Sequence, residues 1–155
     1  MSAPIRVGVV GAGALGYHHV RLLRAVDGAT LIGFHDARTD RAHQVATELG
    51  VRAFESIDSL VDACDALTIA VPTPVHHAIA KIALEKGRHL LIEKPLAASL
   101  AEADDLLAIA KRSPSGRPVA STVIGKRPTR RSGRYFSRTN LAPSFVAIAP
   151  RSSEW

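Results

Sequence analysis

Three glycines near the amino terminus have the spacing of a phosphate-binding loop. They form G-x-G-x-x-G directly after the apolar run 5–10 and at the start of a helical pattern. Backbone N–H groups at a helix start, with the positive end of the helix dipole behind them, attract phosphate. The predicted loop residues are Gly11, Ala12, Gly13, Ala14, Leu15 and Gly16. Gly11 would allow the tight turn, Gly13 the approach of a pyrophosphate, and Gly16 the packing of helix on sheet. The motif therefore predicts a dinucleotide site.

An acidic residue follows where the ribose of the adenosine would lie. Asp36 ends the second apolar run, at the spacing of about 20 residues that such sites require. Its carboxylate would accept hydrogen bonds from the ribose hydroxyls and repel a 2′-phosphate, which favours NAD. Arg38 and Arg41 lie nearby and would tolerate the phosphate of NADP. We therefore predict NAD as the cofactor, with NADP as the alternative.

The elements that position these residues alternate between strand and helix. The apolar patterns predict strands over 5–10, 30–35, 51–54, 66–71, 89–92 and 118–124. Between them, periodicity and stop signals predict helices over 15–26, 39–49, 56–63, 75–86 and 99–112. Strands separated by such helices imply right-handed crossovers and a parallel sheet covered on both faces. We predict an α/β fold with a doubly wound parallel sheet of the Rossmann type, in a single domain over 1–124.

Composition excludes several other classes. Cys64 is the only cysteine, so an internal disulfide and a cysteine-based metal site are excluded, and we expect no metal. The sequence has no apolar stretch of about 18 or more residues, which argues against a membrane partner. No signal-type segment precedes the first strand, so we expect a cytoplasmic location.

The positive charge of the chain lies in its last 30 residues. Residues 1–125 contain 13 basic and 13 acidic side chains, whereas 126–155 contain 7 basic residues and only Glu154 as an acid. This stretch is rich in Arg, Ser, Pro and Gly and has no apolar periodicity, so we predict that 125–155 is an irregular, disordered C-terminal tail. Within its arginine-rich part, 126–138, Tyr135 and Phe136 are the only aromatic residues, so nucleic-acid binding is the least favoured function.

Two later segments give the sequence a family resemblance. The fourth predicted strand ends in Val71-Pro72-Thr73-Pro74-Val75-His76, and the fifth runs into Glu93-Lys94-Pro95. Together with the glycine loop, these segments resemble the N-terminal domain of the glucose–fructose oxidoreductase / inositol dehydrogenase / rhizopine-catabolism (Gfo/Idh/MocA) family over residues 6–124. The resemblance implies an NAD(P)-dependent oxidoreductase acting on the CH–OH group of a sugar, sugar nucleotide or polyol, and a family that forms homo-oligomers.

The resemblance also implies roles for individual residues. Lys94 would be the catalytic residue that orients or polarises the substrate hydroxyl, with Glu93 at the cofactor and Pro95 often in a cis peptide bond. Val71, Pro72 and Thr73 would line the path of the cofactor. His76 would contact the cofactor or cap the following helix, and both alternatives stay open here. His18 and His19 favour packing or partial exposure over chemistry.

The family has a second domain that holds the substrate and supplies an acid/base histidine, and nothing after Gly125 matches it. The abrupt change of charge there motivates the hypothesis that the reading frame shifts near residues 119–124, which resequencing the gene would test. Catalysis by this chain alone is then doubtful, because hydride transfer needs an oriented substrate. The alternative function is a non-catalytic dinucleotide-binding module or sensor.

Overall fold

The computed structural model describes residues 3–112 and the backbone of 119–121. Its strands are β1 Ile5–Val10, β2 Ala29–His35, β3 Ala66–Ile69, β4 His89–Ile92 and β5 Val119–Ser121. Its α-helices are α1 Ala14–Leu23, α2 Thr39–Leu49, α3 Ile57–Ala63, α4 His76–Glu85 and α5 Leu100–Arg112, with a 3₁₀ turn over Thr73–Val75 before α4. The predicted tail over 125–155 lies outside the described residues.

Within the described residues, the strands form one parallel sheet in the order β2-β1-β3-β4-β5. The chain passes from β1 outward to β2 and then crosses to β3 on the other side of β1. The strand order therefore reverses between β1 and β3, and ligands of open α/β sheets bind at the carboxyl ends of the strands beside such a point. The predicted α/β fold of the Rossmann type is confirmed.

Apolar side chains cover both faces of the sheet, as a parallel sheet requires. On β1, Val7 and Val9 pack with α1 and α2, while Val10 packs with the cluster of α3, α4 and α5. Cys64 is a fully buried member of the second cluster, as predicted, and burial raises the pKa of its thiol to about 11. No helix in the described ranges combines the length and the apolarity needed to span a membrane.

The predicted strand over 51–54 is wrong. Only Ala53 forms a bridge, to Phe34 of β2, through Phe34 N–Arg52 O at 3.0 Å and Phe54 N–Phe34 O at 2.7 Å. Pairing stops there because Phe54 turns into the core and Ser56 already caps α3, accepting a hydrogen bond from the Ser59 N–H. The segment is therefore too short to extend the sheet beyond β2.

Three further boundaries differ from the prediction. The helix predicted to start at residue 75 begins at His76, after the 3₁₀ turn that contains Pro74. The strand predicted to reach residue 71 ends at Ile69, and α1 ends at Leu23 instead of residue 26. The earlier end of β3 and the later start of α4 leave the connection after β3 as a longer loop at the ligand-binding edge.

An exposed ion pair joins the start of β1 to the residue before β3, and it supports a pH-dependent prediction. Arg6 donates to Asp65 from Nη2 at 2.7 Å and from Nε at 3.0 Å, and its hydrogen bond lowers the pKa of Asp65 to about 2. A lowered carboxyl pKa contributes stability above the unfolded-state pKa of about 3.9 and loses it as the pH falls toward the folded value. Because the pair is exposed, we expect Asp65→Asn to lower Tm at pH 7 by at most about 4 °C.

This difference in Tm should shrink steadily between pH 4 and pH 2, measured by circular dichroism. Asp27→Asn, at an exposed site, serves as the control. A deficit in Asp65→Asn that is the same at pH 7 and pH 2 would contradict the assignment to the ion pair.

Candidate dinucleotide-binding site

The loop between β1 and α1 leaves the start of α1 available to an anion. Gly13 is the N-cap residue of α1, and no side chain caps the helix. The first intrahelical bond runs from Tyr17 N to Gly13 O at 2.9 Å. The N–H groups of the preceding first turn therefore have no partner within the helix, and Ala14 and Leu15 are exposed there.

The three glycines of the loop serve different purposes. Gly11 has φ +90°, and a Cβ there would lie 2.4 Å from the carbonyl oxygen of Ala70. A Cβ on Gly16 would lie 1.9 Å from the carbonyl oxygen of Gly11, so only glycine allows α1 to approach β1 this closely. A Cβ on Gly13 would meet only Arg38 Nη2, at 4.0 Å. Gly11 and Gly16 are thus needed for packing, whereas the space in front of Gly13 is open.

Asp36 is fixed at the mouth of this loop. Its Oδ2 accepts a hydrogen bond from the Ala12 N–H at 2.8 Å, and its Oδ1 accepts one from the Arg38 N–H at 2.9 Å. Burial acts to raise the pKa of Asp36, but these two hydrogen bonds and the Arg38 guanidinium outweigh burial and lower it. The group is therefore an ionised carboxylate, and its Oδ2, which accepts one hydrogen bond, keeps a lone pair for a further donor.

Two arginines flank the same loop. Arg38 Nε lies 3.3 Å from Asp36 Oδ1, and its side chain is 63% exposed. Arg41 donates from Nε to the Ala12 carbonyl oxygen at 2.8 Å and lies over the Tyr17 ring. The sequence placed both arginines only near Asp36, whereas the structure brings them onto the loop itself.

The connection after β3 lies beside the glycine loop. Val71 Cγ1 would be 2.8 Å from a Cβ on Gly11, so this side chain borders the loop. Pro72 is exposed and Thr73 is partly exposed in the turn that leads into α4. These three predicted residues therefore stand at the carboxyl end of β3, next to β1.

The turn after β4 holds the predicted catalytic lysine. Glu93 follows β4, its N–H donates to the Ile69 carbonyl oxygen at 3.0 Å, and its side chain is 7% exposed. Lys94 is exposed, and the Lys94–Pro95 peptide bond is cis. Within residues 3–112, no three His, Cys, Asp or Glu side chains are grouped so that they could hold a metal ion.

His76 occupies a place that the sequence did not indicate. The residue is 1% exposed, with Nε2 at 2.7 Å from the Val71 carbonyl oxygen and Nδ1 at 2.9 Å from the Pro95 carbonyl oxygen. Its side chain caps no helix, because α4 has Val75 as N-cap with no side-chain hydrogen bond. The capping alternative is therefore wrong, and the ring instead joins the loops after β3 and β4.

His19 is the functional candidate that sequence reasoning missed. Its Nε2 lies 2.7 Å from Glu93 Oε1, although the two residues are 74 positions apart. No local pattern signals this contact, because it depends on how α1 packs beside the turn that follows β4. The neighbouring His18 is exposed, in agreement with the prediction for that residue.

Comparison with known proteins places these features in a family. The Gfo/Idh/MocA family, described as an oxidoreductase family with an NAD-binding Rossmann fold, matches residues 5–116. UDP-N-acetylglucosamine 3-dehydrogenase of Acidithiobacillus ferrooxidans is 42% identical over 107 residues, which cover 69% of this chain and 34% of that protein. Inositol 2-dehydrogenase 1 of Saccharopolyspora erythraea is 41% identical over 103 residues, covering 63% of this chain and 31% of that protein.

Solved structures give the same result. The structure of the Acidithiobacillus ferrooxidans enzyme superposes with a TM-score of 0.72 at 38% identity, covering 77% of this chain and 38% of that one. GenD2 from gentamicin A biosynthesis, solved in complex with NAD, superposes with a TM-score of 0.71 at 30% identity, covering 78% of this chain and 35% of that one. The chain therefore spans about a third of the length of its relatives.

Proposed function

This chain belongs to the Gfo/Idh/MocA oxidoreductase family and contains its NAD-binding Rossmann fold, and from that membership we propose how its residues hold the cofactor. The main observation that supports this proposal is the ionised Asp36 carboxylate, which is held by hydrogen bonds at the open glycine loop. The pyrophosphate would accept hydrogen bonds from the N–H groups of Gly13, Ala14 and Leu15 at the start of α1. A ribose hydroxyl of the adenosine would donate to the free lone pair of Asp36 Oδ2.

The residues present fit a dinucleotide. A Cβ on Gly13 would have no neighbour closer than 4.0 Å, so the loop has room for a phosphate in front of its N–H groups. Arg38 and Arg41 lie on the same loop and would attract the two negative charges of the pyrophosphate. Asp36 favours NAD because its negative charge repels a 2′-phosphate, while Arg38 keeps NADP as a weaker ligand.

We infer that the whole protein oxidises a CH–OH group of a sugar, sugar nucleotide or polyol. The relatives named as dehydrogenases of UDP-N-acetylglucosamine and inositol support this substrate class. When bound, the nicotinamide supplies the hydride acceptor or donor. Val71, Pro72 and Thr73 would line its path, with Glu93, Pro95 and the ring of His76 fixing the turn that presents Lys94. The Lys94 ammonium would stabilise the alkoxide that develops on the substrate.

The chain by itself would bind cofactor and turn over poorly. Hydride transfer needs the substrate carbon held in a defined geometry, and the relatives possess about two thirds of their length beyond the matched region. That remaining part would orient the substrate and provide self-association. We also propose a cytoplasmic location and a domain boundary at residue 124.

A second candidate function is a dinucleotide-binding module or sensor without catalysis. The cofactor loop that such a module would need lies within the matched region, which covers about a third of the relatives' length. Production of NADH at 340 nm from NAD with UDP-N-acetylglucosamine or myo-inositol would favour the dehydrogenase. Cofactor binding with no turnover of either compound would favour the module.

Titration with NADH tests the proposed function. We expect the fluorescence of NADH to change on binding, with a Kd of about 0.1 mM or lower and an affinity for NADPH about tenfold weaker. Reduced nicotinamide mononucleotide, which lacks the adenosine and the pyrophosphate, is the control ligand and should bind much more weakly. The absence of any change at millimolar NADH would reject the proposal.

A further inference from the structure

Two side chains from different helices converge on the turn Glu93–Lys94–Pro95. His19 of α1 contacts the carboxylate of Glu93, and His76 of α4 contacts the main-chain carbonyl of Pro95. Lys94 lies between the two held residues and is exposed. Among the described residues, its ammonium group has no hydrogen-bond or ion-pair partner. The position of Lys94 is therefore set by the turn that carries it.

Among residues 3–112, His19 makes the one side-chain hydrogen bond to Glu93. Glu93 is 5% exposed, and its Oε2 is buried without a hydrogen bond to the part of the chain that the structure describes. A buried carboxylate is costly unless a donor satisfies it. The hydrogen bond from His19 to Oε1, at 2.7 Å, is consequently the interaction that holds this side chain under α1.

The contact from His76 joins the turn to the loop after β3. Its two ring nitrogens face two main-chain carbonyl oxygens, those of Val71 and Pro95. Both partners are acceptors, so the ring nitrogen that carries the proton donates a hydrogen bond to the carbonyl oxygen that it faces. The ring is buried between the two loops. His76 thus fixes the distance between the ends of β3 and β4.

We propose that His19 and His76 are positioning residues that together hold the Glu93–Pro95 turn so that Lys94 meets the nicotinamide half of the cofactor. This inference rests on the proposed function, because it assumes that NAD(H) lies across the carboxyl ends of β1 to β4. Neither histidine touches the adenosine half, which is held by the glycine loop and Asp36. Replacing His19 or His76 should therefore weaken the binding of the nicotinamide half and leave the binding of the adenosine half unchanged.

The test compares NADH with ADP-ribose, which lacks the nicotinamide. In titration calorimetry, we expect His19→Ala and His76→Ala each to weaken NADH binding by about tenfold, the effect of losing about one hydrogen bond. The affinity for ADP-ribose should stay within about twofold of the unmodified chain, because the contacts of the adenosine half are unchanged. Retained binding of ADP-ribose also shows that each variant has folded.

Positioning of Lys94 is tested by combining variants. Lys94→Met should itself weaken NADH and leave ADP-ribose unchanged. The double variant His19→Ala/Lys94→Met should bind NADH no more weakly than Lys94→Met alone, because the histidine acts through the lysine. His19→Gln, whose amide can still donate to Glu93, should recover most of the NADH affinity.

Each histidine has a matched control beside it in the sequence. His18→Ala alters an exposed residue of α1, and His77→Ala removes a surface contact to Asp105 on α5. Both controls should leave both ligands unaffected. The inference would be overturned if His19→Ala and His76→Ala weakened the binding of NADH and of ADP-ribose equally. Additive effects of His19→Ala and Lys94→Met on NADH affinity would also overturn it. Failure of the unmodified chain to bind ADP-ribose would instead reject the proposed function.

Discussion

Replacing Gly13 with alanine is expected to weaken NADH binding by about 100-fold while the domain stays folded. The backbone at Gly13 has φ −66°, which alanine adopts without strain, and the added Cβ would meet only Arg38 Nη2 at 4.0 Å. The new methyl group would occupy the space in front of the first N–H groups of α1. A phosphate held away from these donors would lose about two charge-assisted hydrogen bonds, each contributing about 1.5 kcal/mol.

Gly16→Ala makes the same chemical change three residues later, and its expected effect is on folding. The added Cβ would lie 1.9 Å from the Gly11 carbonyl oxygen and 2.6 Å from its carbon. These are backbone atoms, so α1 as a whole would have to move away from β1. We expect the free energy of unfolding to fall by about 3 kcal/mol, as in severe overpacking, with a loss of NADH binding as a consequence.

Urea unfolding and NADH titration of the two variants separate folding from binding. Gly50→Ala is the control, since Gly50 has φ +62° with no neighbour for a Cβ and lies at the end of α2. Its cost should be about 1 kcal/mol of stability, with NADH affinity unchanged. Binding of NADH by Gly13→Ala with the affinity of the unmodified chain would show that the phosphates lie elsewhere.

The adenosine half of the site could be predicted because its residues are close in sequence. Gly11, Gly13 and Gly16 lie in one strand–loop–helix unit, so the chemistry of the loop and the reason for each glycine follow from local geometry. Asp36 directly follows the next strand, β2, and the parallel pairing of β1 with β2 brings it to Ala12. What the sequence could not give is the direct contact of Arg41 with the loop, which depends on how α2 packs.

The nicotinamide half was only partly predictable. The Glu93–Lys94–Pro95 segment was placed correctly after a strand, but the partners of Glu93 and Pro95 come from α1 and α4. Contacts between a helix and a turn that is distant in sequence depend on the tertiary packing of side chains and have no periodic signal in the sequence. The prediction of a strand over 51–54 was wrong for a different reason. The apolar residues of this segment suit a strand, but Phe54 packs in the core after a single bridge to β2.

Asp36→Ser is expected to reverse the preference between NADH and NADPH. The carboxylate is ionised and has the Arg38 guanidinium beside it, with Nε at 3.3 Å. Removing the carboxylate would delete its hydrogen bond to the ribose and release Arg38 to pair with a 2′-phosphate. We expect NADH to bind about tenfold more weakly and NADPH about tenfold more tightly, a change of about 100-fold in their ratio.

The variant must also remain folded for this comparison to be valid. Asp36 accepts the N–H groups of Ala12 and Arg38, and serine can replace one of these two hydrogen bonds, so a loss of about 1 kcal/mol in stability is expected. That loss leaves the domain folded at 25 °C if its stability is typical of its size. Circular dichroism of the variant checks this point before any titration.

Replacing Arg38 shows whether the gain in NADPH affinity comes from a new contact with the 2′-phosphate or only from the loss of repulsion by Asp36. In the Asp36→Ser background, Arg38→Gln should abolish the gain for NADPH, whereas Asp40→Asn, an exposed charge change in the first turn of α2, should leave it intact. If NADPH affinity rises equally with and without Arg38, repulsion by Asp36 alone accounts for the specificity. If Asp36→Ser changes the affinity for neither cofactor, the ribose does not lie at the end of β2. Removing a negative charge next to the ribose would change the affinity for at least one of the two.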